Sequence, residues 1–268
     1  MSSNSERNDR KKAWEPHRNA GKKPYRGGSS HASGADPKEW VWGVHAVEAA
    51  LANPARGEAR RLLASPERAR KLGSHPKLEI IEPGDIGRHL PQGAVHQGLA
   101  LKIDPPAPLS IDEIGEPAAG VLIMLDQVTD PQNVGAVFRS AAAFGARGVI
   151  LQDRHAPSLS GALAKASAGA VDRIPHAVAI NLSRALERLS DLGWQAIGLD
   201  GQAQIALDQA LNGQPTVIVL GSEGEGLRRL VAEHCDLLAK IPMPGGFESL
   251  NVSNAAAVAL YEATRTRP

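Results

Sequence analysis

An α/β fold is what this 268-residue sequence predicts: a mainly parallel sheet with helices on both faces, preceded by a smaller α/β unit. Three observations carry that expectation. Hydrophobic residues make up 42%, enough to fill a core in one or two domains. From residue 40 onward, short apolar runs alternate with helix-period stretches, the pattern of strand–helix units. A proline-rich break, Asp104-Pro105-Pro106-Ala107-Pro108, then divides that alternation in two.

Taken in order, residues 1–37 hold Gly, Ser, Asn, Lys and Arg with hardly any aliphatic side chain. Such a stretch cannot bury enough surface to offset the entropy of ordering, so a disordered tail is expected. Residues 38–103 carry short runs at 44–51, 61–64, 66–72, 78–81, 86–90 and 99–103, the makings of a compact α/β unit. The prolines that follow fix φ and lack donors, so neither helix nor strand passes through them, and residues 104–118 read as a linker. In the remaining stretch, 119–268, strand-like runs fall at 121–125, 148–151, 195–199, 217–220 and 237–241. The clearest helix starts at Asp130-Pro131, a capping residue followed by proline at the first helical position. Val134, Val137, Phe138 and Ala141 give it an apolar stripe, Arg139 lies off that stripe, and Gly145 is a suitable stop.

Composition excludes several classes. The apolar runs are far shorter than the roughly 18 residues of a membrane span. The charged N-terminus shows no apolar signal region, which points to the cytoplasm, and a lone Cys235 excludes an internal disulfide. The net charge of +1 conceals an asymmetry. Residues 1–37 carry 8 basic and 4 acidic side chains, residues 38–103 carry 10 and 7, and residues 104–268 carry 12 and 18. A nucleic-acid partner would therefore dock mainly through the front of the chain. The same charge also suits a solvated tail.

In open α/β sheets ligands bind beyond the carboxyl ends of strands, and three strand-end segments are unusual. The first is Leu125-Asp126-Gln127-Val128-Thr129-Asp130-Pro131-Gln132-Asn133, leading to Arg139. By itself it also fits a plain helix cap with a solvated arginine. The second, Leu220-Gly221-Ser222-Glu223-Gly224-Glu225-Gly226, sets two carboxylates among glycines. These would repel phosphate, so a cofactor with donors or positive charge suits it better, although glutamates near a helix start also favour the macrodipole. The third runs from Ile241-Pro242-Met243-Pro244 to Phe247-Glu248-Ser249-Leu250-Asn251, then a helix over 255–264. Pro and Gly keep its backbone groups free for a ligand such as an adenine edge, while Ser249 or Ser253 could cap the helix.

In this order the three segments closely resemble the three motifs of SpoU-type RNA ribose 2′-O-methyltransferases, over residues 119–268. Val41-Trp42-Gly43-Val44-His45 and His96-Gln97-Gly98-Leu99 resemble the small RNA-binding domain of the branch that modifies 23S rRNA. The resemblance implies a deep trefoil knot that binds S-adenosylmethionine, a homodimer whose sites are completed by the partner's first-motif arginine, and no metal. It places Leu220, Gly221, Ile241, Met243 and Leu250 at the cofactor. It gives Arg139, Asn133, Glu223, Ser249 and Asn251 to catalysis, with Arg139 fixing the substrate phosphate and stabilising the developing alkoxide. A guanidinium is essentially never deprotonated, which disfavours a base role for it. The implied reaction is 2′-O-methylation of a ribose, a guanosine in the peptidyl-transferase region of 23S rRNA. A tRNA methyltransferase of the same family and a noncatalytic RNA-binding relative are the alternatives. Asp172 stands where many relatives carry Glu, and Asn254 where an aliphatic residue is usual.

Overall fold

The computed structural model describes residues 39–154, 156–245 and 249–265. The tail expected over 1–37 and part of the third segment, Gly246 to Glu248, lie outside the described residues.

Two sheets make up the described chain. The first contains β1 (Trp40–Trp42), β2 (Arg61–Ala64), β3 (Leu78–Ile80) and β4 (Leu99–Lys102) in the order β1-β4-β2-β3. Strand β4 runs antiparallel to both of its neighbours, with Trp40 opposite Lys102 and Leu62 opposite Leu101. Its helices are α1 (Val44–Ala52), α2 (Pro66–Leu72) and α3 (Pro83–Gly87). Helix α2 shows why such short pieces form: Ser65 accepts from the Arg68 N–H, Pro66 opens the first turn, and Gly73 ends it at φ +76°.

The second sheet has seven strands: β5 (Val121–Leu125), β6 (Gly148–Gln152), β7 (His176–Ala179), β8 (Gln195–Leu199), β9 (Ile205–Ala206), β10 (Thr216–Leu220) and β11 (Leu237–Lys240). The order is β7-β6-β5-β10-β8-β11-β9, and every pair is parallel. Helices α4 (Ile111–Gly115), α5 (Pro131–Ala143), α6 (Gly161–Ala166), α7 (Leu182–Asp191), α8 (Leu207–Ala210), α9 (Arg229–Glu233) and α10 (Val252–Arg265) complete it. Successive side chains of a strand face opposite ways, so β5 feeds two cores. Ile123 joins Phe138 of α5 and Leu260 of α10 on one face, and Leu122 and Met124 join Leu186 and Leu189 of α7 on the other. Burial on both faces is why β5 is apolar throughout and β10 is apolar after Thr216. From β5 the chain builds outward through β6 and β7 on one side, while β10 lies on the other. The carboxyl ends of β5 and β10 therefore flank a topological switch point.

Asp130 caps α5 by accepting from the Gln132 and Asn133 N–H groups, and Gly145 beyond its end has φ +66°, both as the sequence predicts. Other elements differ. Strands β7 and β9 had no counterpart in the sequence reading. The stretch expected as a linker holds α4, whose capping box joins Ser110 and Glu113 and whose Ile114 is buried. Helix α10 starts three residues earlier than expected. Its cap is neither Ser249 nor Ser253 but Asn251, whose Oδ1 accepts from the Ser253 and Asn254 N–H groups.

Both sheets belong to one compact unit. A buried ion pair ties them: the Arg56 guanidinium donates through Nε and Nη2 to Asp172, whose side chain is likewise inaccessible. Arg56 also donates to the carbonyls of Asp104 and Leu159, and Asn53 donates to Asp172 at 3.0 Å. This is what the aspartate at position 172 does: it anchors the first sheet's unit, away from the strand-end turns. Leu109 extends the tie by donating its N–H to the His176 carbonyl.

Candidate active site

The carboxyl ends of β8, β10 and β11 open into a cleft of about 750 Å³, within the range usual for small-molecule sites. Its floor and walls come from four turns: residues 199–202, 220–226, 241–243 and 249–252. Leu220, Gly221, Ile241, Met243 and Leu250 all line it, as do Glu223, Ser249 and Asn251.

The glycine loop after β10 has a shape that only its sequence allows. Ser222 and Gly226 exchange two backbone hydrogen bonds, at 3.2 and 3.0 Å. Gly224 and Gly226 take φ of +91° and +69°, values that L side chains rarely adopt. A Cβ on Gly221 would lie 2.0 Å from the Gly226 carbonyl carbon, so the loop closes only because position 221 has none. Glu223 at the tip does not serve a helix N-terminus. Its Oε1 accepts from Asn133 Nδ2 at 3.0 Å and from Asn251 Nδ2 at 2.6 Å, and Asn251 also donates to Asn133 Oδ1 at 3.0 Å. Three side chains from three separate segments thus form one hydrogen-bonded triangle at the edge of the cleft.

Arg139 stands apart. It lies six residues past Asn133 on α5, about 240° around the helix axis, it is exposed, and it does not line the cleft. Among the described residues it has no side-chain hydrogen bond or salt bridge.

Two features escaped the sequence reading. The turn Asp200-Gly201-Gln202 after β8 forms part of the cleft, and the strand-end rule applied to that strand would have found it. Asp126, quoted in the first segment without a role, is wholly buried and bound to Arg228. Among the described residues, no lysine or arginine lines the cleft, whereas Asp200, Glu223 and Glu225 do. With leucine and isoleucine walls, glycine backbone and carboxylates, the cleft fits a cationic nucleoside and disfavours a pyrophosphate. A second cleft, of about 610 Å³ between α7 and α9, holds none of these residues.

Comparison with known proteins agrees with this geometry. Residues 120–261 match the model of the SpoU rRNA Methylase family. An uncharacterized tRNA/rRNA methyltransferase of Mycolicibacterium gilvum is 43% identical over 192 residues, covering 70% of this chain and 61% of the relative. The chain thus spans about three fifths of the length of that mycobacterial protein. A 23S rRNA (guanosine-2′-O-)-methyltransferase of Pseudomonas aeruginosa is 37% identical over 85% of this chain and 97% of its own. The crystal structure of the SpoU methyltransferase AviRb from Streptomyces viridochromogenes with AdoMet superposes with a TM-score of 0.72, at 25% identity over 84% of this chain and 89% of that one. Since the family match takes in β5 through most of α10, and with it nearly the whole cleft and its triangle, the chain belongs to the SpoU rRNA Methylase family.

Proposed function

We propose that this protein is an S-adenosylmethionine-dependent RNA ribose 2′-O-methyltransferase whose substrate is a guanosine in the peptidyl-transferase region of 23S rRNA. The observation that carries this reading is the Asn133–Glu223–Asn251 triangle set at the mouth of a cleft lined by carboxylates. The Pseudomonas relative, matched over nearly its full length, supports the 23S rRNA guanosine over tRNA.

When bound, the cofactor would supply a sulfonium methyl group, the ribose 2′-oxygen forming the new carbon–oxygen bond in line as the carbon–sulfur bond breaks to a neutral thioether, with the 2′-hydroxyl proton leaving through the substrate phosphate to water. The chain's own residues supply alignment. Leu220, Ile241 and Leu250 give apolar walls for an adenine, and the backbone at Gly221 can approach closely because no Cβ intervenes. Glu223, holding both asparagine amides, fixes Asn133 and Asn251 on the side the ribose enters. Ser249, exposed beside Asn251, is a further polar group of the third segment on the cleft wall. Arg139 fixes a substrate phosphate and stabilises negative charge developing on the 2′-oxygen.

Because Arg139 does not line the cleft of its own chain, a homodimer is part of the proposal, each arginine serving the partner's site. Exposed Val258 and Tyr261 on α10, which packs on α5, offer apolar surface for that contact. A trefoil knot, with the segment after β11 threaded through a loop, is also proposed. It is supported by β11 lying between β8 and β9 while α10 returns to pack on α5, beside the central strands. The first sheet's unit is proposed to bind RNA, and the cytoplasm is the proposed compartment.

Tritium transfer from labelled S-adenosylmethionine to unmodified 23S rRNA and, separately, to tRNA, with nuclease mapping, tests the function. Label on a guanosine ribose of 23S rRNA is expected. Label on tRNA alone would overturn the substrate, and label on neither would overturn the activity.

A further inference from the structure

One residue holds both ends of the glycine loop. The backbone N–H of Asp126 donates to the Leu220 carbonyl at 2.8 Å, where the loop leaves β10. Its carboxylate receives the other end: Oδ2 accepts from the Arg228 backbone N–H at 2.9 Å, and Oδ1 accepts from Arg228 Nε at 2.7 Å with Nη2 at the same distance. Asp126 is wholly buried, whereas the Arg228 side chain is 40% exposed. A carboxylate in that position carries a desolvation cost that ordinary packing would avoid, and among the described residues the hydrogen bonds it accepts come from Arg228. Nothing in β5 itself requires an acid there, since the five residues before it are apolar.

From this arrangement we infer that Asp126 and Arg228 are positioning residues for the cofactor loop. The inference rests on the S-adenosylmethionine reading of the cleft. Within the loop, the Ser222–Gly226 pair fixes the tip, and Glu223 at that tip carries Asn133 and Asn251. Those bonds fix the shape of the loop and tether its tip to Asn133 and Asn251, but they do not seat its ends on the sheet. The place is set where the loop joins the sheet, and the Leu220 end is already part of the β5–β10 ladder. The free end is Arg228, so the clasp to Asp126 fixes the end that the tip contacts leave open, and with it how Gly221 to Gly226 stand over the cleft. Charge-assisted, forked bonds suit that task, because the guanidinium plane fixes direction as well as distance.

Asp126→Asn keeps the size of the side chain but removes the charge and one acceptor. Isothermal titration of the full chain with S-adenosylmethionine is expected to show Kd raised about tenfold, the size of one charge-assisted bond lost. At saturating cofactor most of kcat should return, and Arg228→Lys should lose less affinity than Arg228→Met. A folded Asp126→Asn protein that binds with wild-type affinity would overturn the assignment, leaving the pair a core ion pair only. If that variant does not fold, as judged by its melting transition, Arg228→Lys carries the test. Its backbone bond to Asp126 is untouched, and wild-type affinity there would overturn the proposal equally. Failure of the wild-type chain to bind S-adenosylmethionine is a distinguishable result, which overturns the cofactor reading itself.

Discussion

The amide of Asn251 joins helix capping to the site. Its Oδ1 starts α10 by accepting from two backbone N–H groups and the Ser253 hydroxyl, while its Nδ2 donates to Glu223 and Asn133. The first function fixes the rotamer that the second one needs. Arg139 is the opposite case, an exposed side chain with no hydrogen bond or salt bridge among the described residues. Arg139→Ala is accordingly expected to leave S-adenosylmethionine binding within about twofold in titration, since the arginine does not line the cleft. Methyl transfer should fall by about a hundredfold or more, the size of losing one stabiliser of developing charge. Equal loss of binding and transfer would contradict this placement. Neither pattern was readable from periodicity. Asn133, Glu223 and Asn251 lie 28 to 118 residues apart, and only the family resemblance, carried by the order of three segments, pointed to all of them together.

At the level of elements, the glycine loop is the most constrained piece of chain in the cleft. Gly221→Ala would drive a methyl group to 2.0 Å from the Gly226 carbonyl carbon, and neither backbone segment is a flexible side chain that could give way. The loop must open, so cofactor binding is expected to become undetectable by titration while a cooperative melting transition persists. Retained binding would mean that the loop relaxes without cost to the cleft. The glycines themselves announced a turn in the sequence, but the crossing of position 221 over position 226 is a through-space fact. Central strands such as β5 and β10 were legible because burial on both faces forces unbroken Val, Ile and Leu. Strand β7 was not: His176-Ala177-Val178-Ala179 is short and begins with a titratable residue. Helix α4 was hidden by the prolines before it, which stop structure at 105–108 but place no limit on a capping box two residues later.

Across the whole molecule, the first sheet's unit and the cleft-bearing sheet meet at the Arg56–Asp172 pair, with His176 beside it. Burial, followed by the charge of Arg56, lowers the His176 pKa to about 4, with Asp172 opposing. Unfolded, the imidazole titrates near 6.5. Between those values the unfolded chain binds more protons than the folded one, so the native state loses stability as pH falls from about 6.5 to about 4. Above pH 6.5 the group contributes no pH dependence. The full loss is about 3.5 kcal/mol on the scale of one pKa unit to 1.4 kcal/mol, large beside the 5–15 kcal/mol of a typical domain. The carbonyl of the same histidine takes the Leu109 N–H, so the titrating residue sits where the Pro-rich stretch is fastened. Urea unfolding at pH 7 and at pH 4.5, for wild type and His176→Gln, measures this. The wild type is expected to lose most of that free energy on acidification beyond what the variant loses. A variant that acidifies in parallel with wild type would assign the acid sensitivity to other groups and leave His176 a packing residue alone.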